Sequence, residues 1–126
     1  MKTKVCVLYA RKDPMTGCQK PKPNQLYKEP VIEIEERTLD DLKPGHVRVK
    51  MLSAGICGID IHLTQTCPES GYMINSAPAY IPAEGRIIGH EGVGRVLEIG
   101  SNVDFIKEGA YCYLVGWLPR TPWRRI

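Results

Sequence analysis

Apolar residues in this chain recur mostly at every second position, in short runs separated by glycine and proline. Lys4 to Ala10 is short, apolar and rich enough in β-branched residues for a strand. The polar stretch that follows, with Pro14, Pro21, Pro23 and Pro30, reads as surface loop. Val31 to Arg37 (VIEIEER) puts Ile32 and Ile34 on one face, the period-2 mark of a half-buried strand. After the turn LKPGH, the positions Val47, Val49 and Met51 alternate with charge and make the clearest strand of the chain. The period then changes. Ile56, Ile59 and Leu63 fit one helical face and predict a helical turn or two from about Gly58. A loop with three prolines leads to Gly85, Gly92 to Ile99 returns to strand, and AYCYLVGWL is the last strand. The ending PRTPWRRI fits no element. The pattern predicts a mainly β fold, a small barrel or sandwich.

Composition narrows this reading. With 126 residues, 43% of them hydrophobic, the chain suits one domain with one modest core. No apolar run approaches the roughly 20 residues that cross a bilayer. The apolar stretch after the first lysines ends at Ala10, too soon for a signal-peptide core. A cytoplasmic protein without membrane contact is the expectation. The net charge of +3 is mild and spread out, which argues against a nucleic-acid partner. Arg120, Trp123, Arg124 and Arg125 could read as a basic-aromatic tail, but a solvated tail over 119–126 ranks above that. The five cysteines (Cys6, Cys18, Cys57, Cys67, Cys112) form no CxxC pair, so neither a disulfide framework nor a zinc finger is expected. GHEGVG lacks the spacing of a dinucleotide loop, and no amphipathic helix follows it.

The chemistry rests on Cys57, Asp60, His62, His90 and Glu91. A catalytic zinc takes three ligands of Cys, His or carboxylate type and keeps a fourth position open. Cys57 and His90 lie 33 residues apart, so no local spacing rule pairs them. Each also has a plain structural reading. Cys57 could be a buried small hydrophobe, and His90 a partner for backbone in a glycine-rich turn. Glu91 could be a solvated charge, and Asp60 a first-turn residue favoured by the helix dipole. Residue types alone leave these readings open.

Gly89-His90-Glu91 with Gly94, Gly100 and Val103 resembles the zinc-containing alcohol dehydrogenase signature of the medium-chain dehydrogenase/reductase family, with every gap the right length. AGICGIDIH looks like that family's first-ligand motif. The resemblance covers Val5 to about Val115. It implies the family's N-terminal catalytic domain (1–118 here), a partly open GroES-like β-barrel with short helical turns. It further implies Cys57 and His90 as ligands of one catalytic zinc. Glu91 is implied as a carboxylate beside the metal that coordinates directly in some members. Asp60 would hold the site by hydrogen bonding or ion pairing, and His62 would end a proton relay. Gly89, Gly92 and Gly94 would let the chain turn tightly beside the metal. The implied substrate is a small alcohol or carbonyl compound, with hydride passing to or from NAD(P). A homo-oligomer is possible.

The departures qualify this. The hydroxyl residue usual two positions after the Cys ligand is Ile59, which cannot pass a proton. A Gly-Asp pair of the family appears as Gly109-Ala110, and the four-cysteine structural zinc lobe is missing. The third zinc ligand and the Rossmann domain would lie beyond Ile126. The expectation is therefore an N-terminal piece of a dehydrogenase that is inactive alone, with NAD(P) bound only where a Rossmann domain is supplied elsewhere. The alternative is a non-enzymatic GroES-like domain used for assembly or partner binding. The zinc-free quinone-reductase branch fits less well, since it generally lacks these paired motifs.

Overall fold

A computed structural model describes residues 1–74 and 80–115, which form six strands and one short helix. The strands are β1 (Lys2–Lys12), β2 (Tyr27–Thr38), β3 (Val47–Ala54), β4 (Arg86–Ile87), β5 (Glu91–Ile99) and β6 (Tyr111–Val115). Helix α1 is Gly58–His62, and Pro23–Gln25 makes a single 3-10 turn. The fold is mainly β, with two three-stranded antiparallel sheets that do not close into a barrel, as expected of a partly open GroES-like domain. The chain divides into two compact units: Met1–Asp40 with Ile56–Gly89, and Asp41–Gly55 with the chain from His90 onward. No helix among the described residues is long and apolar enough to cross a membrane.

In the first unit the sheet order is β2-β1-β4. β1 is central, and its two faces are both covered where it is most apolar, since the neighbours Val7 and Leu8 point to opposite faces and are both fully buried. It is also longer than the apolar run implied, because Arg11 and Lys12 pair with Lys28 and Tyr27. β2 accordingly starts at Tyr27 and passes through Pro30, in a segment expected to be loop. Pro30 is tolerated because β2 is an edge strand and the ladder is irregular between Tyr9 and Arg11. At this irregularity Glu29 adopts φ +55, and the Arg11 guanidinium holds its carboxylate with bonds of 2.9 and 3.2 Å.

The core here is Leu8, Tyr27, Leu63, Met73 and Ile81, with Ala10, Leu26 and Ile88 packed against it. Tyr27 ties it together with two hydrogen bonds. Its hydroxyl accepts the Ile81 N–H at 3.0 Å, and its carbonyl accepts the Met73 N–H at 2.9 Å. Burying each such side chain contributes about 1.5–3 kcal/mol. Two sequence expectations are corrected. Ile34 stays 73% exposed, so the alternating face of β2 is not half-buried, and Cys6 across from it is exposed as well. α1 is a helix as expected, but it buries Asp60 and Leu63 rather than Ile56 and Ile59.

In the second unit the order is β3-β5-β6, and β5 alternates cleanly. Gly92, Gly94 and Val96 are buried, while Val93, Arg95 and Leu97 are exposed. Gly92 and Gly94 were expected in a tight turn beside a metal. They lie within the strand that the Gly92–Ile99 pattern predicts, and what they supply there is close approach rather than a turn. A Cβ on Gly94 would sit 2.2 Å from Val49 Cγ1 and 2.9 Å from the Lys50 carbonyl oxygen. Only Gly89 of the three has the left-handed φ, +94, that a turn exploits. The last strand ends at Val115 among the described residues, so Trp117 and the tail 119–126 fall outside them.

Candidate metal centre

Cys57 is the N-cap of α1, with extended dihedrals of −82° and 155°. Its backbone N–H donates to the Asp60 carboxylate at 3.0 Å. Asp60 is only 8% exposed and belongs to the first turn, so its negative charge also faces the positive helix end. Asp60 thereby fixes the backbone of Cys57. Cys57 is a half-buried free thiol. His62 closes the same helix and is exposed. Its Nδ1 contacts the Gln65 side-chain oxygen at 2.8 Å. The Gln65 side-chain oxygen accepts, so Nδ1 is the donor in this contact. Ile59 is 46% exposed on the same short helix and offers no hydroxyl.

In the second unit, His90 directly precedes β5 and Glu91 opens it. The β3–β5 ladder pairs Ser53 with Val93 and Ala54 with Gly92, and the Gly55 N–H donates to the Glu91 carbonyl at 3.0 Å. The Glu91 side chain then folds over Gly55. A Cβ there would lie 2.8 Å from Glu91 Cγ and 2.9 Å from both Cδ and Oε1. Gly55 is two residues before Cys57, and Glu91 is one residue after His90. Gly55 and Glu91 thus meet at one end of the β3–β5 ladder, within the second unit. Among the described residues no three His, Cys, Asp or Glu side chains gather as a metal-holding group. Cys57, Asp60 and His62 belong to the first unit, and His90 and Glu91 to the second. As a donor set, one thiol, one imidazole and one carboxylate suit the borderline-soft character of zinc.

Three residues with a part in this arrangement escaped the sequence reading. Gly55 carries no signal of its own, since its role appears only when Glu91 lies over it. Glu35 and Arg37 belong to a network with Tyr9 that reaches the turn before β4. The Tyr9 hydroxyl donates to Glu35, Arg37 Nε donates to Glu35 at 2.8 Å, and Arg37 also donates to the Glu84 carbonyl at 3.1 Å. The Tyr9 bond, helped by Arg37, holds the Glu35 carboxyl below its usual range. The same bond pushes the Tyr9 hydroxyl up, against the lowering effect of Arg37. The network clamps the Pro82–Gly85 turn, from which the chain runs through β4 to Gly89 and His90.

Comparison with known proteins agrees with these motifs. An alcohol dehydrogenase of Moraxella sp. (strain TAE123) is 33% identical over 78 residues, which is 62% of this chain and 20% of that protein. An L-arabinitol 4-dehydrogenase of Aspergillus oryzae is 35% identical over 80 residues, 64% of this chain and 19% of that protein. A sorbitol dehydrogenase of Gallus gallus is 27% identical over 89 residues, 71% of this chain and 23% of that protein. The chain thus spans about a fifth of the length of the curated relatives it matches. No solved structure matches it. The profile of the alcohol dehydrogenase GroES-like domain matches residues 43–120, more than half of the sequence, including β3, α1, β5 and both candidate ligand motifs. The chain belongs to the alcohol dehydrogenase GroES-like domain family.

Proposed function

We propose that this chain is the zinc-binding N-terminal domain of an NAD(P)-dependent alcohol or polyol oxidoreductase, with Cys57, His90 and Glu91 as the residues that hold the metal. What carries this reading is the match of residues 43–120 to the alcohol dehydrogenase GroES-like domain, which includes both ligand motifs. When bound, zinc supplies a Lewis acid that polarises an alcohol or carbonyl oxygen during hydride transfer. The chain's own residues prepare for this. Asp60 fixes the Cys57 backbone, Gly55 sets the place of the Glu91 carboxylate, and His62 is available to take a proton. Ile59 passes none, so any proton path to His62 runs through water or substrate. Turnover further requires a dinucleotide site, and the helices among the described residues are too short to build one. Five free thiols fit a reducing compartment such as the cytoplasm.

The test is metal content. Protein loaded with zinc and passed over a desalting column should retain about one equivalent, and Cys57→Ser and His90→Ala should each release it. Cobalt substitution should give a thiolate charge-transfer band that Cys57→Ser abolishes. A folded protein that takes up neither metal would overturn the reading. Ile59 in place of a hydroxyl favours the second reading, a non-enzymatic assembly domain. Size exclusion separates the two, because only the second expects a complex or oligomer that forms without metal.

A further inference from the structure

The exposed face of the β3-β5-β6 sheet holds a row that the linear sequence scatters. Lys50 on β3 lies directly opposite Arg95 on β5, which lies directly opposite Tyr111 on β6. Like charges placed directly across a ladder destabilise it. Lys50 has no ion pair among the described residues, and Arg95 spends its Nε on the Gly109 carbonyl at 3.1 Å, which neutralises nothing. The next row on this face adds Val93 and Tyr113, again directly opposite each other. Tyr111 is 72% exposed and Tyr113 66%, with neither hydroxyl hydrogen-bonded among the described residues. Same-face neighbours along a strand stand about 7 Å apart. Two rings at that spacing, beside two uncompensated cations, offer stacking surface and anion attraction together. Leu52, Leu97 and Glu108 complete an open groove of about 580 Å³ over this face. Glu108 is the one acid that lines it among the described residues.

We propose that this face binds single-stranded nucleic acid, with phosphates at Lys50 and Arg95 and bases against Tyr111 and Tyr113. The chemistry is the usual one for strand binding without strong sequence preference: cations follow the backbone and aromatic rings take the bases. A duplex hides its bases and meets only the two cations. An acidic peptide satisfies the cations but has nothing to stack on the rings. A second copy of the same face is excluded by its own charge, since pairing would bring four cations together. The proposal is independent of zinc and is tested on the metal-free full chain.

Fluorescence anisotropy with a 15-residue oligo-U and oligo-dT measures it directly. Binding should weaken about sevenfold from 50 to 200 mM salt, as two phosphate contacts on a single strand imply. Lys50→Ala with Arg95→Ala should weaken it at least tenfold, and Tyr111→Ala with Tyr113→Ala at least fivefold. The charge-matched pair Lys4→Ala with Lys12→Ala, exposed on β1, should leave it unchanged, and circular dichroism checks that every variant is folded. Equal or tighter binding of a 15-base-pair duplex or of poly-glutamate would overturn the proposal. So would binding that survives the Lys50 and Arg95 changes but disappears with Arg120, Arg124 and Arg125 replaced by alanine.

Discussion

Replacing Gly55 with alanine separates two roles that a glycine beside a metal site could have. Gly55 does not have the positive φ that would make any side chain strained. The nearest obstacle to a methyl group is the Glu91 side chain, at 2.8 to 2.9 Å, where ordinary contact begins near 3.4 Å. About 0.6 Å of clearance is missing, and a glutamate can supply it by changing rotamer, at a cost of about 0.5–1.5 kcal/mol. Gly55→Ala should therefore fold, and its melting temperature should fall by only a few degrees. The carboxylate, however, must leave its place over Gly55. If it serves the metal, zinc affinity should drop at least about 10-fold, since even a partner behind the ligands is worth about 10–100-fold. Competition with a chelator measures this, and a double-mutant cycle with Glu91→Ala assigns it. Once Glu91 is gone, Gly55→Ala should cost nothing more in zinc affinity. An equal loss in both backgrounds would refute the reasoning, because it would mean that the methyl group acts on something other than Glu91.

Other expectations follow from the same geometry. Gly94→Ala meets Val49 and the rigid Lys50 carbonyl, so it should destabilise the fold by about 1–3 kcal/mol in denaturant titration, far more than Gly55→Ala. Asp60→Ala should cost about 1–2 kcal/mol by freeing the Cys57 N–H, and Asp60→Asn, which can still accept that bond, should recover most of it. Stability measured against pH should show the Tyr9–Glu35 pair at both ends. The Glu35 carboxyl is lowered in the fold, so its contribution is present above its ordinary 4.5 and is lost as pH falls through the lowered value. The Tyr9 hydroxyl is raised, so its contribution holds below 10.0 and is lost as pH climbs through the raised value. Tyr9→Phe should flatten both limbs, and a variant that keeps the wild-type profile would show that the bond contributes nothing.

The sequence made the two motifs legible because their chemistry lies in residue identity. Cys57, His90, Glu91 and their glycine gaps are visible without any coordinates. β5 was legible because alternation survives where one face is buried; β3 was legible from its alternating residue types, although its burial does not alternate and Met51 stays 45% exposed. The start of β2 was not, since Lys28, Glu29 and Pro30 look like loop until Arg11 of the neighbouring strand and Asp13 just beyond its end supply partners. The apolar positions of α1 misled for a related reason: a helix of five residues has too few turns for its period to reveal the buried side, which an acidic residue occupies. Gly55 and the Lys50–Arg95–Tyr111 row were invisible because each is defined by a cross-strand neighbour more than 15 residues away.

The division into two units has a consequence for how the protein is made. The chain passes from one unit to the other after Asp40, Gly55 and Gly89, so neither unit is a continuous stretch of sequence. On a ribosome only the β1–β2 hairpin can form early. Val7 must wait for Ile87, 80 residues later, and at about 5–20 residues per second that wait lasts roughly 4–16 s. Throughout it the inner edge of β1 is an unpaired strand bearing Val7 and Leu8, open to any other nascent chain that offers backbone. Synthesis speed between residues 40 and 90 therefore bears directly on how much of this protein reaches its fold, and a slow codon there would do more harm than one after β5.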